Sequence, residues 1–191
     1  ATSGYDESKA LIGRWHGRDR LAYAITPRFA ATSTPAQLEA AGALWRETPG
    51  AYLHSHVAEN VAEVEWIGAL YPSHARYLDV YAQFGLLGRR ALYAHGIHLD
   101  DADFQLLHES QTAIAHCPTS NNFLGSGLFS MHRARDPRRP VHVALATDLG
   151  GTTARYNFIV PNLCSDMHGQ TFGTTCNSFF DDMIKKGDTW L

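Results

Sequence analysis

YLHSHVAEN, at residues 52–60, is a strand-like run that leads directly into a predicted helix. Tyr52 to His56 is predicted to be a strand, in which His54 and His56 point to the same side because successive side chains alternate. Asn60 and Glu63 have the spacing of a helix-capping pair, so a helix is expected to follow at once. A strand followed by a helix is the repeating unit of parallel α/β proteins.

The same alternation of apolar strands and amphipathic helices runs through most of the chain. The clearest helix start is at Thr34, where Pro35 is at the first helical position and Gln37 completes a capping box. A Gly/Ser/Asn-rich loop is expected at 118–127. Strands are predicted at 21–25, 52–56, 91–94, 112–115 and 141–146. Other helices are predicted at 6–16, after Asn60, at 72–85 and at 101–108. Strands separated by helices predict an α/β fold with a parallel sheet.

Each predicted strand is followed by a residue that can carry chemistry. In a parallel barrel the carboxyl ends of the strands form one rim, where the active site lies, so these residues would meet there. A doubly wound open sheet also binds ligands at strand ends, but it usually has a Gly-rich phosphate turn after its first strand, and none is visible here. The residues at the five strand ends are Arg28, His56, His95, His116 and Asp148.

Several of these strand-end residues are suited to a metal site. His95 is followed by Gly96, which leaves space for a ligand, and Asp148 after an apolar strand is costly unless it is paired or binds a metal. Two histidines and one aspartate suit zinc or another borderline metal, and Glu59 could shuttle protons beside it. The alternative is a packed histidine pair at 54–56 and a helix-start glutamate favoured by the helix dipole.

Composition indicates a globular protein. Hydrophobic residues make up 45% of the 191 residues, and the net charge of −3 argues against a nucleic-acid partner. No apolar run approaches the roughly 20 residues of a membrane span. Three cysteines without a CxxC pair are typical of reduced thiols, which favours a cytoplasmic location. Residues 1–153 are expected to form one domain, and residues 154–191 remain unassigned because their pattern has no sustained period.

Seven motifs, in this order and at this spacing, resemble those of guanine deaminases in the amidohydrolase superfamily. The match covers about residues 5–153. The TPRF motif, together with the motif that contains Ser120 and Asn121, narrows the resemblance from the superfamily to its guanine deaminase branch. The motifs are TPRF at 26–29, SHVAEN at 55–60, YLDVY at 77–81, AHG at 94–96, IAHCPTSN at 114–121, FLGSG at 123–127 and ATD at 146–148. The resemblance implies a partial TIM barrel, corresponding to strands four to eight.

The resemblance also implies a reaction and a role for each site residue. Guanine would be hydrolysed at a C–N bond of its cyclic amidine to xanthine and ammonia, with zinc as cofactor. His56 and Asp148 would be zinc ligands, and Asp148 would also accept a proton from the attacking water. His95 would contact the attacking oxygen or the metal, and Glu59 would protonate a purine ring nitrogen. The purine would be bound at its polar edge by Arg28 and stacked on Phe29.

The family carries two further zinc ligands as a His-x-His pair on its first barrel strand, and that strand has no counterpart here. His54 and His56 are not its equivalent, because they lie on the strand that supplies the third ligand. Weak zinc binding is therefore expected. Two alternatives to guanine deamination stay open: a sister enzyme acting on another amino- or chloro-substituted heterocycle, and a truncated, non-catalytic remnant. A small-molecule purine is the expected partner, and homodimers are usual in the family.

Overall fold

The computed structural model describes residues 2–148, which form a parallel sheet with helices between its strands. Residue 1 and residues 149–191 lie outside the described part, and with them the unassigned segment 154–191. The division of the chain at residue 153 therefore stays a prediction. The helices are α1 (Thr2–Trp15), α2 (Pro35–Glu47), α3 (Val61–Leu70), α4 (Tyr77–Gln83), α5 (Asp101–Ser110), α6 (Pro118–Leu124) and α7 (Met131–Ala134). The strands are β1 (Ala24–Ile25), β2 (Tyr52–Val57), β3 (Ala91–His95), β4 (Ala113–His116) and β5 (Val143–Leu145).

The sheet has five strands in the order β1-β2-β3-β4-β5, and every neighbouring pair is parallel. Consecutive strands are neighbours throughout, and the order never reverses. A doubly wound sheet needs such a reversal, so the order is that of an arc of a βα barrel. The predicted α/β class is confirmed, and all the strand carboxyl ends lie along one edge.

Local capping explains where several helices begin. The Thr34 hydroxyl accepts a hydrogen bond from the Gln37 amide, and the Gln37 side chain accepts one from the Thr34 amide, as the sequence predicts. Asn60 and Glu63 form the same reciprocal box at the start of α3. The second box matters for the site, because it fixes the turn between β2 and α3.

The core lies between the sheet and its helices. Leu53, Tyr93 and Ile114 from the strands are fully buried, and so are Leu78 and Phe104 from α4 and α5. Burying a large apolar side chain stabilises a fold by roughly 1.5–3 kcal/mol, so this layer holds the strands in register. No helix within residues 2–148 is long and apolar enough to cross a membrane.

Four sequence predictions of local structure were wrong or too long. The loop expected at 118–127 contains helix α6, because Pro118 is at a first helical position and the buried Ser120 and Asn121 find partners across the sheet edge. The helix expected from Pro72 begins only at Tyr77, where Arg76 and Asp79 pair at its start. The first and last strands are shorter than predicted, and within residues 2–148 each of them pairs with one neighbouring strand.

Candidate metal centre

Three of the predicted site residues converge at the carboxyl edge of the sheet. His56 is on β2, His95 ends β3, and Asp148 lies three residues after β5. One ligand atom from each residue lies within 4.8 Å of the other two. The three are far apart in the sequence and meet because parallel strands present their carboxyl ends at one rim.

The His56 ring is oriented by the backbone of the neighbouring strand. Its Nδ1 donates to the carbonyl oxygen of Arg28 at 2.8 Å, and its Nε2 lies 3.4 Å from Asp148 Oδ1. Burial opposes the charged imidazolium, but the hydrogen bonds to Asp148 and Arg28 outweigh it and raise the pKa of His56. Nε2 therefore faces the cluster, and any proton on it must leave before a metal ion can bind there.

The His95 ring is fully buried beside that of His56, and the two rings stack with centroids 5.4 Å apart. Its Nδ1 lies 2.8 Å from Asn121 Oδ1, whereas its Nε2 lies 3.8 Å from Asp148 Oδ2. Nε2 has no hydrogen-bond partner within residues 2–148. Burial lowers the pKa of His95, and the hydrogen bond with Asn121 opposes this lowering.

The Asp148 carboxylate is held by both of its oxygens. Oδ1 faces His56, and Oδ2 accepts a 2.8 Å hydrogen bond from the Ser120 hydroxyl. Burial favours the neutral acid, but His56, His95 and Ser120 together lower the pKa of Asp148 well below its usual range. The group is therefore an anion, as a metal-ligating carboxylate must be.

Three residues at this edge have a left-handed backbone although none is glycine. The φ angles are 48° at Ala58, 73° at His95 and 57° at Asp148. Each such residue costs of order 1–3 kcal/mol, and such strain clusters at functional sites. The loops are held by the sheet: the Gly96 amide donates to the Val57 carbonyl oxygen, and the Ile97 amide donates to that of Ala58.

Glu59 lies next to the cluster, just before the Asn60 cap of α3. Its Oε1 is 3.6 Å from His95 Nδ1, and its side chain is 13% exposed. The Glu59 amide donates to the Glu63 carboxylate at 2.8 Å, which ties this turn to the capping box. A carboxylate held at the rim of the cluster, with a little solvent access, is placed to transfer protons.

The other predicted residues lie outside the cluster of three. The Arg28 guanidinium is 4.8 Å from the centroid of the Phe29 ring, and Phe29 meets Trp66 of α3 edge to face at 6.4 Å. Arg28 therefore contacts the cluster through its backbone carbonyl oxygen, which accepts from His56, and its side chain is not one of the three candidate ligands. His116 stacks on Phe129 at 5.3 Å, and burial lowers its pKa. These positions neither require nor contradict a role in binding a purine.

The donor set fits zinc. A tetrahedral zinc ion with ligand bonds of about 2.0–2.1 Å holds its ligand atoms roughly 3.3 Å apart. The separations from His56 Nε2 to Asp148 Oδ1, 3.4 Å, and from His95 Nε2 to Asp148 Oδ2, 3.8 Å, are near this value, and one ligand atom of each residue lies within 4.8 Å of the others. Imidazole nitrogen and carboxylate oxygen are ligands that zinc takes, and His95 Nε2 is buried with no hydrogen-bond partner within residues 2–148. The three residues would therefore hold a zinc ion without rearrangement of the strands.

Sequence reasoning assigned no role to the residues that hold the cluster in place. Ser120 and Asn121, adjacent on α6, each contact one of the three predicted residues. Tyr81 of α4 donates to the His56 carbonyl oxygen at 2.7 Å and accepts from the Ala30 amide at 3.0 Å. All three residues are buried and lie within the motifs at 77–81 and 114–121. Burial of a polar side chain would have identified them as supports of the site, but the sequence alone does not show it.

Comparison with known sequences agrees with the geometry. The model of the amidohydrolase family matches residues 6–181. The guanine deaminase of Escherichia coli strain K12 is 49% identical over 154 residues, which are 80% of this chain and 35% of that protein. A probable guanine deaminase of Deinococcus radiodurans is 44% identical over 149 residues, which are 78% of this chain and 34% of that protein. The chain thus spans about a third of the length of these relatives.

Comparison with solved structures gives the same result. The E. coli guanine deaminase superposes with a TM-score of 0.75 at 48% identity, over 78% of this chain and 34% of that one. The guanine deaminase of Bradyrhizobium japonicum superposes with a TM-score of 0.76 at 39% identity, over 78% of this chain and 32% of that one. The predicted resemblance and the partial barrel are confirmed, and the chain belongs to the amidohydrolase family.

Proposed function

We propose that the protein carries the metal-binding and proton-transfer part of a guanine deaminase, which hydrolyses guanine to xanthine and ammonia. The observation that carries the proposal is the convergence of His56, His95 and Asp148, with ligand atoms within 4.8 Å, on a chain 49% identical to a guanine deaminase. Guanine and water supply all the atoms of xanthine and ammonia, so the reaction needs no redox partner.

His56 Nε2, His95 Nε2 and a carboxylate oxygen of Asp148 would hold the zinc ion. When bound, zinc is a Lewis acid that lowers the pKa of a water toward about 7. Asp148 is anionic in the folded chain and takes a proton from the attacking water. Ser120 keeps one oxygen of this carboxylate fixed while the other faces His56.

Glu59 supplies the acid for the second half of the reaction. Its carboxyl group lies next to His95 at the mouth of the cluster, so it can deliver a proton to the purine ring nitrogen beside the attacked carbon. The proton that Asp148 took from the water then passes to the amino group, which leaves as ammonia, and Glu59 recovers its proton from the new hydroxyl group as the carbonyl forms. A glutamine at this position would keep the size of the side chain and lose the proton transfer.

Arg28 and Phe29 would recognise the purine. Their stacking presents a guanidinium edge and an aromatic face from one loop, and Trp66 supports the aromatic ring from α3. Guanidinium N–H groups would donate to the purine carbonyl oxygen and ring nitrogens, and Phe29 would cover one face of the ring. As the resemblance implies, this activity would belong to purine catabolism in the cytoplasm.

The test is formation of xanthine from guanine by the purified chain with added zinc, followed by ultraviolet absorbance and by release of ammonia. The expected result is slow, zinc-dependent turnover that Glu59→Gln lowers by about 10²–10⁴-fold. Glu65→Gln, on the exposed face of α3, is the matched control and should leave the rate unchanged. Absence of turnover at any zinc concentration would contradict the proposal for this chain.

A further inference from the structure

Asn121 makes a buried side-chain contact with His95 beside the cluster of His56, His95 and Asp148. The two ring nitrogens have different surroundings. Nδ1 lies 2.8 Å from Asn121 Oδ1 and 3.6 Å from Glu59 Oε1. Nε2 lies 3.8 Å from Asp148 Oδ2 and has no hydrogen-bond partner within residues 2–148.

We propose that Asn121 is a positioning residue that holds the imidazole of His95 in one tautomer, with the proton on Nδ1 and the electron pair on Nε2. A neutral imidazole carries a single ring proton, and that proton goes where acceptors are close. Two oxygen atoms face Nδ1, and the nearer is at full hydrogen-bonding distance.

The opposite orientation of the Asn121 amide is less favourable. In that orientation the amide nitrogen would donate to Nδ1, and the single ring proton would move to Nε2. The Glu59 carboxylate, 3.6 Å away, would then face the electron pair of Nδ1, and two electron-rich groups would oppose each other in a buried place. With the proton on Nδ1 instead, the electron pair of Nε2 faces Asp148 Oδ2 at the longer distance of 3.8 Å, and Nδ1 has the Asn121 oxygen at 2.8 Å, so the geometry supports Asn121 as the acceptor and His95 Nδ1 as the donor.

Asn121 is well fixed for this task. Asn121 is 1% exposed. Its amide donates to the Cys117 carbonyl oxygen at 2.9 Å, and its own carbonyl oxygen accepts from the Ser126 amide at 2.9 Å. The side chain therefore projects from a backbone that is bonded on both sides, and the ring it contacts belongs to a residue with a left-handed φ of 73°.

The tautomer determines what His95 can do. With its electron pair on Nε2, the ring can bind a metal ion or accept a hydrogen bond, but it cannot donate one toward Asp148. Hydrogen bonds of this kind commonly fix the tautomer of a ligating histidine, and their loss weakens metal binding by about 10–100-fold. The catalytic meaning of this tautomer rests on the proposed function, but the tautomer itself can be observed without turnover.

The test is a long-range ¹H–¹⁵N correlation spectrum of the full chain, labelled with ¹⁵N-histidine and freed of metal, at pH 7.5. Loss of one ring system in His95→Gln assigns the signals. The expected spectrum shows a protonated Nδ1 and an unprotonated Nε2 for His95. In Asn121→Ala the His95 ring should shift toward Nε2 protonation, and cobalt(II) affinity should fall by at least tenfold.

Asn122→Ala is the matched control, because Asn122 is the exposed neighbour on the same helix and should change neither readout. Asn121→Asp keeps an oxygen facing Nδ1 and should retain the tautomer even if the alanine variant unfolds. The His56 signals report on folding, since the Arg28 carbonyl fixes that ring separately. A wild-type His95 protonated on Nε2, or an unchanged tautomer in Asn121→Ala, would overturn the proposal. Failure of guanine turnover with these spectra as expected would count against the proposed function alone.

Discussion

The Ser120 hydroxyl donates a 2.8 Å hydrogen bond to Oδ2 of Asp148, across 28 residues of sequence. Asp148 follows the last described strand at the candidate metal centre, and its backbone is left-handed, with a φ of 57°. Because Oδ2 is held by Ser120, Oδ1 is the oxygen that faces His56. The hydroxyl thus fixes the orientation of the carboxylate, with Oδ1 toward His56 and Oδ2 3.8 Å from His95 Nε2.

We expect Ser120→Ala to weaken zinc or cobalt(II) binding by about tenfold, since a ligand that loses its supporting hydrogen bond samples more orientations. Isothermal titration calorimetry on the purified chain would measure the change. The control is Thr119→Ala, an exposed position on the same helix. Equal affinities for the Ser120 variant and the wild type would show that the hydroxyl only fills space.

Zinc binding by the chain itself is expected to be weak and to depend on pH. A metal ion at His56 must displace the proton that the neighbouring Asp148 stabilises. Since the pKa of His56 is raised, protons compete with zinc up to a higher pH than at an ordinary histidine, so affinity rises with pH. Titrations at pH 6 and pH 8 should show tighter binding at pH 8, with net release of protons.

Asp148→Asn keeps the shape of the side chain and removes the charge, and it should lower zinc affinity at least tenfold at both pH values. The partly buried His74 beside Tyr71 provides the control variant His74→Ala, with unchanged affinity expected. A tight one-to-one zinc complex in the wild-type chain would refute the expectation of weak binding. It would mean that other groups replace the His-x-His pair that has no counterpart in this sequence.

The sequence predicts local features and the meeting of distant strand ends better than it predicts the supports of the site. The capping boxes at Thr34 and Asn60 depend on residues three apart, so the pattern contains all the information needed. The meeting of His56 and His95 follows from parallel strands sharing one edge. The structure places these residues together, whereas their catalytic roles stay predictions.

Helix α6 shows why the rest could not be predicted. Four of its seven residues, PTSNNFL, are polar, and Gly125 follows, so composition alone favours a loop. The helix forms where Ser120 and Asn121 are buried against Asp148 and His95, contacts that only the folded sheet creates. Tertiary contacts outweigh local propensity here, and they also decide which polar residues support the site.

Asp103 gives the fold a pH dependence at acidic pH. Its carboxyl group is 5% exposed and caps α5 by accepting from the Asp100 amide. Burial raises its pKa from 3.8 to about 6. The folded chain therefore binds this proton more tightly than the unfolded chain. The bound proton contributes about 3 kcal/mol at most to the free energy of unfolding. This contribution is fully present below about pH 4 and is lost as the pH rises through about 6.

Asp103→Asn keeps a capping oxygen and removes the titration, so the variant should lose less stability than the wild type between pH 4 and pH 6. Urea unfolding at several pH values measures the difference. Asp101→Asn is the control on the same helix: Asp101 is exposed, and its pKa is lowered by Arg139, so it titrates below this range. Parallel pH profiles for the Asp103 variant and the wild type would contradict the buried-carboxyl explanation.

Tyr81 links the purine-binding loop proposed here to the strand that carries His56. Its hydroxyl donates to the His56 carbonyl oxygen and accepts from the Ala30 amide, just beyond Phe29, while the Ser55 hydroxyl lies 3.2 Å away. Tyr81→Phe keeps the ring but leaves the Ala30 amide and the His56 carbonyl without this partner. The free energy of unfolding should fall by about 1–3 kcal/mol, because buried polar groups that lose a partner are costly.

Chemical denaturation measures that loss, and Tyr52→Phe is the matched control, since Tyr52 is 45% exposed and should change stability by less than about 0.5 kcal/mol. If Tyr81 also positions the site, guanine turnover or cobalt(II) binding by Tyr81→Phe should fall under conditions where the variant is fully folded. A loss of stability with unchanged metal binding would limit Tyr81 to the fold. An unchanged stability would mean that water replaces the hydroxyl, which a residue with 0% exposure does not readily permit.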